Sequence, residues 1–233
     1  MSPTSDTARA DGAIRAVLFD LDGTLVNTWA LYLESYLRTL EPYAGHRLSL
    51  DELRTLHPSS EVRALHSLVP ADQVAAAHAT LLEHYRALHD ELFAGVYPGV
   101  VAMLDALRQK GLPLGIVTGK SRGAWAITRA QSGLGDFAVF VGDDDVAEAK
   151  PSPEGLCLAL RRLDLPAGDA LYVGDSLQDA VAARDAGVRF AAALWAKRPG
   201  DVPEFLRMVR EVGVWAELAE PGSLLDVLNG RGR

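Results

Sequence analysis

Two carboxylates two residues apart, Asp20 and Asp22, end the run Val17-Leu18-Phe19-Asp20-Leu21-Asp22-Gly23-Thr24-Leu25. The apolar part reads as a buried parallel strand, and in open α/β sheets ligands collect just beyond the carboxyl ends of strands. Like charges this close repel, which implies a bound cation, a shared proton or both. The same residues also suit a helix-capping Asp and a turn Asp before glycine. Three further segments carry matching chemistry. In Thr118-Gly119-Lys120, a hydroxyl and the N–H groups of a glycine turn make a phosphate cradle, although Thr-Gly is also a common helix cap. Lys150-Pro151 lies in a loop before a helix, ordinarily a solvated place for lysine. Gly174-Asp175-Ser176, followed by Asp179, again places acids directly after an apolar run, and a capped helix start would look the same.

These groups need a scaffold, and the chain supplies a repeating one. Ala16–Phe19, Leu114–Thr118, Val139–Val141 and Leu171–Val173 are short apolar runs, each followed by a helical period. Val100, Leu104 and Leu107 recur at helical spacing before the stop signal Gly111-Leu112-Pro113. Leu156, Leu160 and Leu163 do so after Pro153, and a small-residue helix from Val181 closes at Gly187. The alternation predicts an α/β, Rossmann-like doubly wound parallel sheet with helices on both faces. Phe190–Leu194 and Val212–Trp215 are predicted as further strands, with helices at Val202–Arg210 and Leu224–Leu228.

Residues 28–96 interrupt the alternation. Val74, Leu81, Tyr85, Leu88 and Leu92 form one apolar helix stripe, and the whole segment reads helical. It is too long for a crossover, so it is read as an inserted small helical cap domain. Its hinges are expected around Val26–Thr28 and Gly95–Gly99, leaving 14–27 and 97–233 as the catalytic core. Residues 1–13 are small and polar and are expected to be a disordered tail.

Composition narrows the partners. A hydrophobic content of 48% is ample for a core, and a net charge of −8 argues against nucleic acid or an anionic membrane as partner. It leaves room for a small anionic substrate at a locally positive site. The single cysteine, Cys157, excludes an intramolecular disulfide and, with no secretory or transmembrane segment in view, predicts a cytoplasmic protein. All six histidines fall within the insert without an i, i+4 pair, which argues against a zinc site there. Trp195, Trp215 and the helix near 201–211 are expected either to pack on the core or to form a dimer contact, so the chain is read as a monomer or homodimer.

Taken in order, Asp-x-Asp-Gly-Thr-Leu, Thr-Gly, Lys-Pro and Gly-Asp-Ser-x-x-Asp resemble the haloacid dehalogenase superfamily in its phosphatase branch. The resemblance covers most of residues 15–195. Asp144-Asp145-Val146 with Lys150-Pro151-Ser152-Pro153-Glu154 looks like the phosphoglycolate phosphatase-type group, and the insert looks like that group's helical cap.

The resemblance implies a Mg2+-dependent phosphatase acting on a small phosphorylated metabolite, with phosphoglycolate the first substrate to consider. Asp20 would be the nucleophile and Asp22 the general acid and base. Thr118, Gly119 and Lys150 would bind the phosphoryl group. Mg2+ would be held by the Asp20 carboxylate, the Asp22 main-chain carbonyl and Asp175, with Asp179 orienting from behind. The alternatives are a β-phosphoglucomutase-like phosphomutase, a pyrophosphatase of the same family and, more remotely, a non-catalytic binding protein on this fold. Gly174 stands where mutases often carry an acid, which favours hydrolysis. Asn27 stands where many members carry Asp. Lys120 is read as a substrate contact or as surface, and Arg63 and His66 as substrate readers or ordinary cap surface.

Overall fold

The computed structural model describes residues 12–56 and 60–230. Six strands form one parallel sheet: β1 (Ala16–Phe19), β2 (Leu114–Val117), β3 (Val139–Val141), β4 (Ala170–Gly174), β5 (Arg189–Ala193) and β6 (Ala216–Leu218). Their spatial order is β3-β2-β1-β4-β5-β6. β1 is central, with Phe19 beside Ile116 of β2 and Val173 of β4. All four of its residues are buried, as a strand covered on both faces requires.

Successive side chains divide between the two faces. Val17 and Phe19 join Ile116, Leu171 and Val173 on one face. There they meet α5 (Val100–Gln109), α6 (Arg122–Ser132) and α10 (Ser223–Leu228). Leu18, Tyr172 and Phe190 point to the other face, under α7 (Glu154–Leu163), α8 (Leu177–Ala186) and α9 (Val202–Val212). The chain builds β1, β2 and β3 outward and then crosses back to β4 on the far side of β1. The crevice at the carboxyl ends of β1 and β4 is therefore the switch point where doubly wound sheets bind ligands.

Four helices lie between β1 and α5: α1 (Trp29–Ala44), α2 (Leu50–Thr55), α3 (Glu61–His66) and α4 (Val74–Leu92). Tyr36, Leu40, Leu65 and Leu81 share an apolar cluster of their own. The predicted stripe of α4 is buried at Val74, Leu81, Tyr85 and Leu88. A second cluster, of Leu31, Tyr85, Leu88 and Ala124, packs α1 and α4 against α6. The chain enters and leaves this segment side by side, with Asn27 N–H donating to the Gly95 carbonyl at 2.9 Å and Ala94 N–H to the Asn27 carbonyl at 3.2 Å.

One expectation changes. The last strand is Ala216–Leu218, not Val212–Trp215, because α9 runs on to Val212 and Gly213, at φ 116°, turns the chain out of it. Val212, at the end of α9, and Val214, in the loop that follows, then pack on the second face. β6 has only one neighbour and exposes Glu217, so it lacks the continuous apolar run of the inner strands. The tail expected over 1–13 falls, for residues 1–11, outside the described residues. Gly12, its penultimate residue, is tied to β5 by Arg189 Nη1 donating to its carbonyl at 2.8 Å. Trp195 and Trp215 pack on the core, and Trp195 Nε1 donates to the Thr24 carbonyl at 2.9 Å. No helix among the described residues is long and apolar enough to cross a membrane.

Candidate active site

Most of the predicted groups meet in one cavity of about 590 Å³. Asp20 and Asp22 follow β1, Thr118 and Gly119 follow β2, and Asp175 follows β4; Lys150 reaches in from the loop before α7. The backbone turn after Asp22 needs glycine. Gly23 has φ +81°, and a Cβ there would lie 2.7–2.8 Å from the Asp175 carboxylate. That close approach lets the loops after β1 and β4 share one site.

Lys150 is the hub on the sheet side. Its Nζ donates to Asp20 Oδ1 at 2.7 Å, Asp179 Oδ1 at 2.6 Å and Tyr172 Oη at 3.0 Å. Asp179 is completely buried, and its second oxygen accepts from the Ser176 N–H at 3.0 Å and Oγ at 2.6 Å. The helix-capping reading of Gly174-Asp175-Ser176-x-x-Asp179 is therefore met, and the capping residue also contacts Lys150. Asp179 caps α8 and orients Lys150 with the same carboxylate. Burial works against the charges of Lys150 and Asp179, yet each holds the other ionised: the lysine lies well above its usual range and the aspartate below its own.

The remaining acids lack such compensation. Burial pushes Asp20 up to about 8, with Lys150 pulling down and Asp179 and Asp175 adding to the rise. Burial likewise pushes Asp175 up to about 6, although Lys197 Nζ lies 3.3 Å from its Oδ2. Asp20, Asp175 and Asp179 can bring carboxylate oxygens within 4.8 Å of one another. An all-oxygen set that is short of positive charge suits a hard divalent cation. Asp179 is the weakest candidate for a direct ligand, because both of its oxygens already accept strong hydrogen bonds.

Asp22 faces a second lysine. Thr28 Oγ1 donates to its Oδ1, and Lys120 Nζ stands 3.4 Å from the same oxygen. Lys120 is not a surface group, and it lines the same cavity. Its side chain is fully buried, and its Nζ also meets Tyr85 Oη at 3.1 Å and Glu61 Oε1 at 3.9 Å. Sequence reasoning did not select Glu61 or Tyr85. Glu61 carries no motif, and Tyr85 looked like one more member of an apolar stripe.

The other side of the cavity is lined by Asn27, Thr28, Trp29, Tyr32, Tyr97 and Gln178. Most belong to the entry and exit of the helical segment, and Trp29 is 58% exposed at its start. Burial, with Asp175 and Asp22 nearby, pushes the Tyr97 hydroxyl up to about 12, so it remains a neutral donor. Arg63 does not line the cavity; its Nη2 donates to the Ala147 carbonyl at 2.9 Å. His66 is exposed and also lies outside the lining.

Comparison with known proteins agrees with this geometry. Residues 17–193 match the haloacid dehalogenase-like hydrolase family. Phosphoglycolate phosphatase of Xanthomonas campestris is 37% identical over 191 residues, covering 80% of this chain and 86% of that protein. Pyrophosphatase PpaX of Bacillus velezensis is 35% identical over 188 residues, covering 79% and 85%. The crystal structure of CbbY from Rhodobacter sphaeroides in complex with phosphate superposes with a TM-score of 0.75 at 28% identity, over 91% of this chain and 96% of that one. The chain belongs to the haloacid dehalogenase-like hydrolases and, within them, to the enzymes similar to phosphoglycolate phosphatase.

Proposed function

We propose that the protein is a Mg2+-dependent phosphatase that hydrolyses a small phosphorylated metabolite through a phosphoryl group carried transiently on Asp20. The observation that carries this reading is the Asp20–Lys150–Asp179 chain, with contacts of 2.7 and 2.6 Å, at the carboxyl end of the central strand. A carboxylate held there beside a cation, on a residue that lines the cavity, is suited to attack phosphorus.

Thr118 and the Gly119 N–H would receive phosphoryl oxygens, and Lys150 would balance charge on the transferring group. Asp22 would give a proton to the leaving oxygen and then take one from the water that cleaves the Asp20 ester. Asp20, the Asp22 carbonyl and Asp175 would hold Mg2+, with Asp179 acting through Lys150. An ion held there would supply positive charge that favours ionised Asp20 and the anionic phosphoryl group. Helices α1–α4 are read as a cap over residues 28–96 that excludes water and reads the leaving group.

Gly174 favours hydrolysis over phosphomutase chemistry. A Cβ there would lie 2.6–2.7 Å from the Asp179 side chain, so an acidic side chain would displace the residue that orients Lys150. The names of the relatives support phosphoglycolate as the first substrate to test and pyrophosphate as the second. The deciding experiment is phosphate release with Mg2+ across 2-phosphoglycolate, pyrophosphate, sugar phosphates and nucleoside monophosphates. One strongly preferred member establishes the hydrolase and its substrate. Release from none, with Asp20 still phosphorylated by acetyl phosphate, indicates a mutase; no labelling either indicates a binding protein.

A further inference from the structure

Lys120 comes from the loop after β2, but two of its partners come from the helical segment. Glu61 opens α3 and Tyr85 lies in α4, while Asp22 belongs to the loop after β1. The ammonium also stands 4.4 Å from the Tyr85 ring centre and 5.1 Å from that of Tyr32. The side chains of Lys120 and Glu61 are 0% and 1% exposed. Glu61 returns the contact twice: its Oε2 accepts from Ser121 N–H at 3.0 Å, and its own N–H donates to the Gly119 carbonyl at 3.2 Å. Beside it, Asp143 Oδ2 accepts from Ser60 Oγ at 2.8 Å and from Val62 N–H at 3.0 Å. The first turn of α3 is thus sewn to the loops after β2 and β3.

We infer that Lys120 and Glu61 form a charge latch through which docking of α3 on the sheet edge positions Asp22 for proton transfer. Lys120 is the positioning residue of this latch. The inference rests on the phosphatase reading of the same site.

Removing two charges from water costs about what their attraction returns, so a buried pair adds little net stability. A lone buried charge is much worse, so the pair strongly disfavours any arrangement in which only one partner is covered. Such a pair selects one docking geometry. In that geometry the ammonium lies beside Asp22 Oδ1, where it and the Thr28 hydroxyl restrict the carboxylate. When the helical segment is withdrawn, Lys120 loses Glu61 of α3 and Tyr85 of α4 together, and the constraint on Asp22 loosens. The latch makes the acid–base group competent only under a seated cap.

The test is a double-mutant cycle of Lys120→Met, Glu61→Met and the pair. It is read by turnover of p-nitrophenyl phosphate with Mg2+ and by hydrogen exchange of the Val62 amide. Lys120→Met is expected to lower kcat about 100-fold with a smaller change in KM, the scale of a misplaced catalytic group. Glu61→Met is expected to lower it about tenfold. Each single variant deprives the other buried charge of its partner across the latch, leaving Lys120 with Asp22 or Glu61 with His78, and speeds Val62 exchange. The double variant regains Val62 protection but is no faster than Lys120→Met, because docking returns without a cation beside Asp22.

Effects on kcat that multiply would overturn the latch. So would a rise in KM with kcat unchanged for Lys120→Met, which would make the lysine a substrate-binding group, or Val62 exchange indifferent to both single changes. If a single variant does not fold, the double variant, which buries no lone charge, decides through its kcat and Val62 protection. Exchange is read without turnover, so an inactive wild-type protein would defeat the phosphatase reading and leave the docking test standing.

Discussion

Lys150 and Lys120 both bring an ammonium into one cavity and share it between two carboxylates, but their supports differ in kind. Lys150 draws every partner from the core, from the sheet, the loop after β1 and the first turn of α8: Tyr172, Asp20 and Asp179. Lys120 has one carboxylate partner in the core and another in α3. The first cluster stands whenever the sheet is folded. The second is complete only while the helical segment sits on the core. On the proposed reading Asp20 is thus permanently prepared, whereas Asp22 depends on closure, a division that would suit an enzyme excluding water before it breaks a phosphate ester.

The largest break in this comparison should come from the sheet-side cluster. Asp20→Asn is expected to lower turnover at least about a thousandfold with an unchanged circular dichroism spectrum, as loss of a nucleophile does. A variant keeping more than about a tenth of the normal rate would remove Asp20 from that role.

Metal removal should be comparable for activity and also informative about charge. EDTA is expected to abolish turnover and Mg2+ to restore it. Asp20 and Asp175 are raised from 3.8 to about 8 and about 6, so the folded state binds their protons more tightly than the unfolded state. Their contribution to stability is therefore complete below pH 3.8 and lost as pH rises through about 6 and about 8. Mg2+ should accordingly raise the Tm more at pH 8 than at pH 5. An equal rise at both would argue that the acids are not the binding set.

On the closure-dependent side, Asp22→Asn is expected to slow turnover about 100-fold and to let the phosphorylated Asp20 accumulate. Acid-quenched labelling would show it; no more label than in the wild type would count against the acid–base assignment. The smallest effect should come from His78, whose Nε2 lies 3.3 Å from Glu61 Oε2. The Glu61 hydrogen bond raises the His78 pKa against burial, with Asp144 and Asp143 adding to the rise. A histidine raised on folding stabilises fully below its ordinary 6.5 and loses that contribution as pH climbs through the higher folded value. His78→Gln should therefore flatten the pH dependence of Val62 exchange above pH 6.5 while shifting stability by no more than about 1 kcal/mol. An unchanged profile would detach His78 from α3.

What the sequence disclosed follows the same division. Inner parallel strands are buried on both faces, so they appear as apolar runs, and the acids after β1 and β4 stand out because charge follows such a run abruptly. β6 was displaced because an edge strand with exposed Glu217 carries a weaker pattern than the Val212–Trp215 stretch before it. Lys120 was visible as a residue but not as a buried one. Its burial is set by Glu61 and Tyr85, whose positions depend on how two helices dock, and no local pattern encodes that. Asp179 was legible twice over, since helix capping and lysine orientation need the same side chain.

The paired crossing at Asn27 and Gly95 has a consequence for the history of such a chain. Because the departing and returning strands meet by backbone hydrogen bonds, the sheet has no stake in what is strung between them. That intervening stretch can be lengthened, shortened or exchanged for a different module while the register of β1 against β2 and β4 stays fixed. One hydrolytic chassis can therefore be refitted for new molecules by traffic through a single doorway.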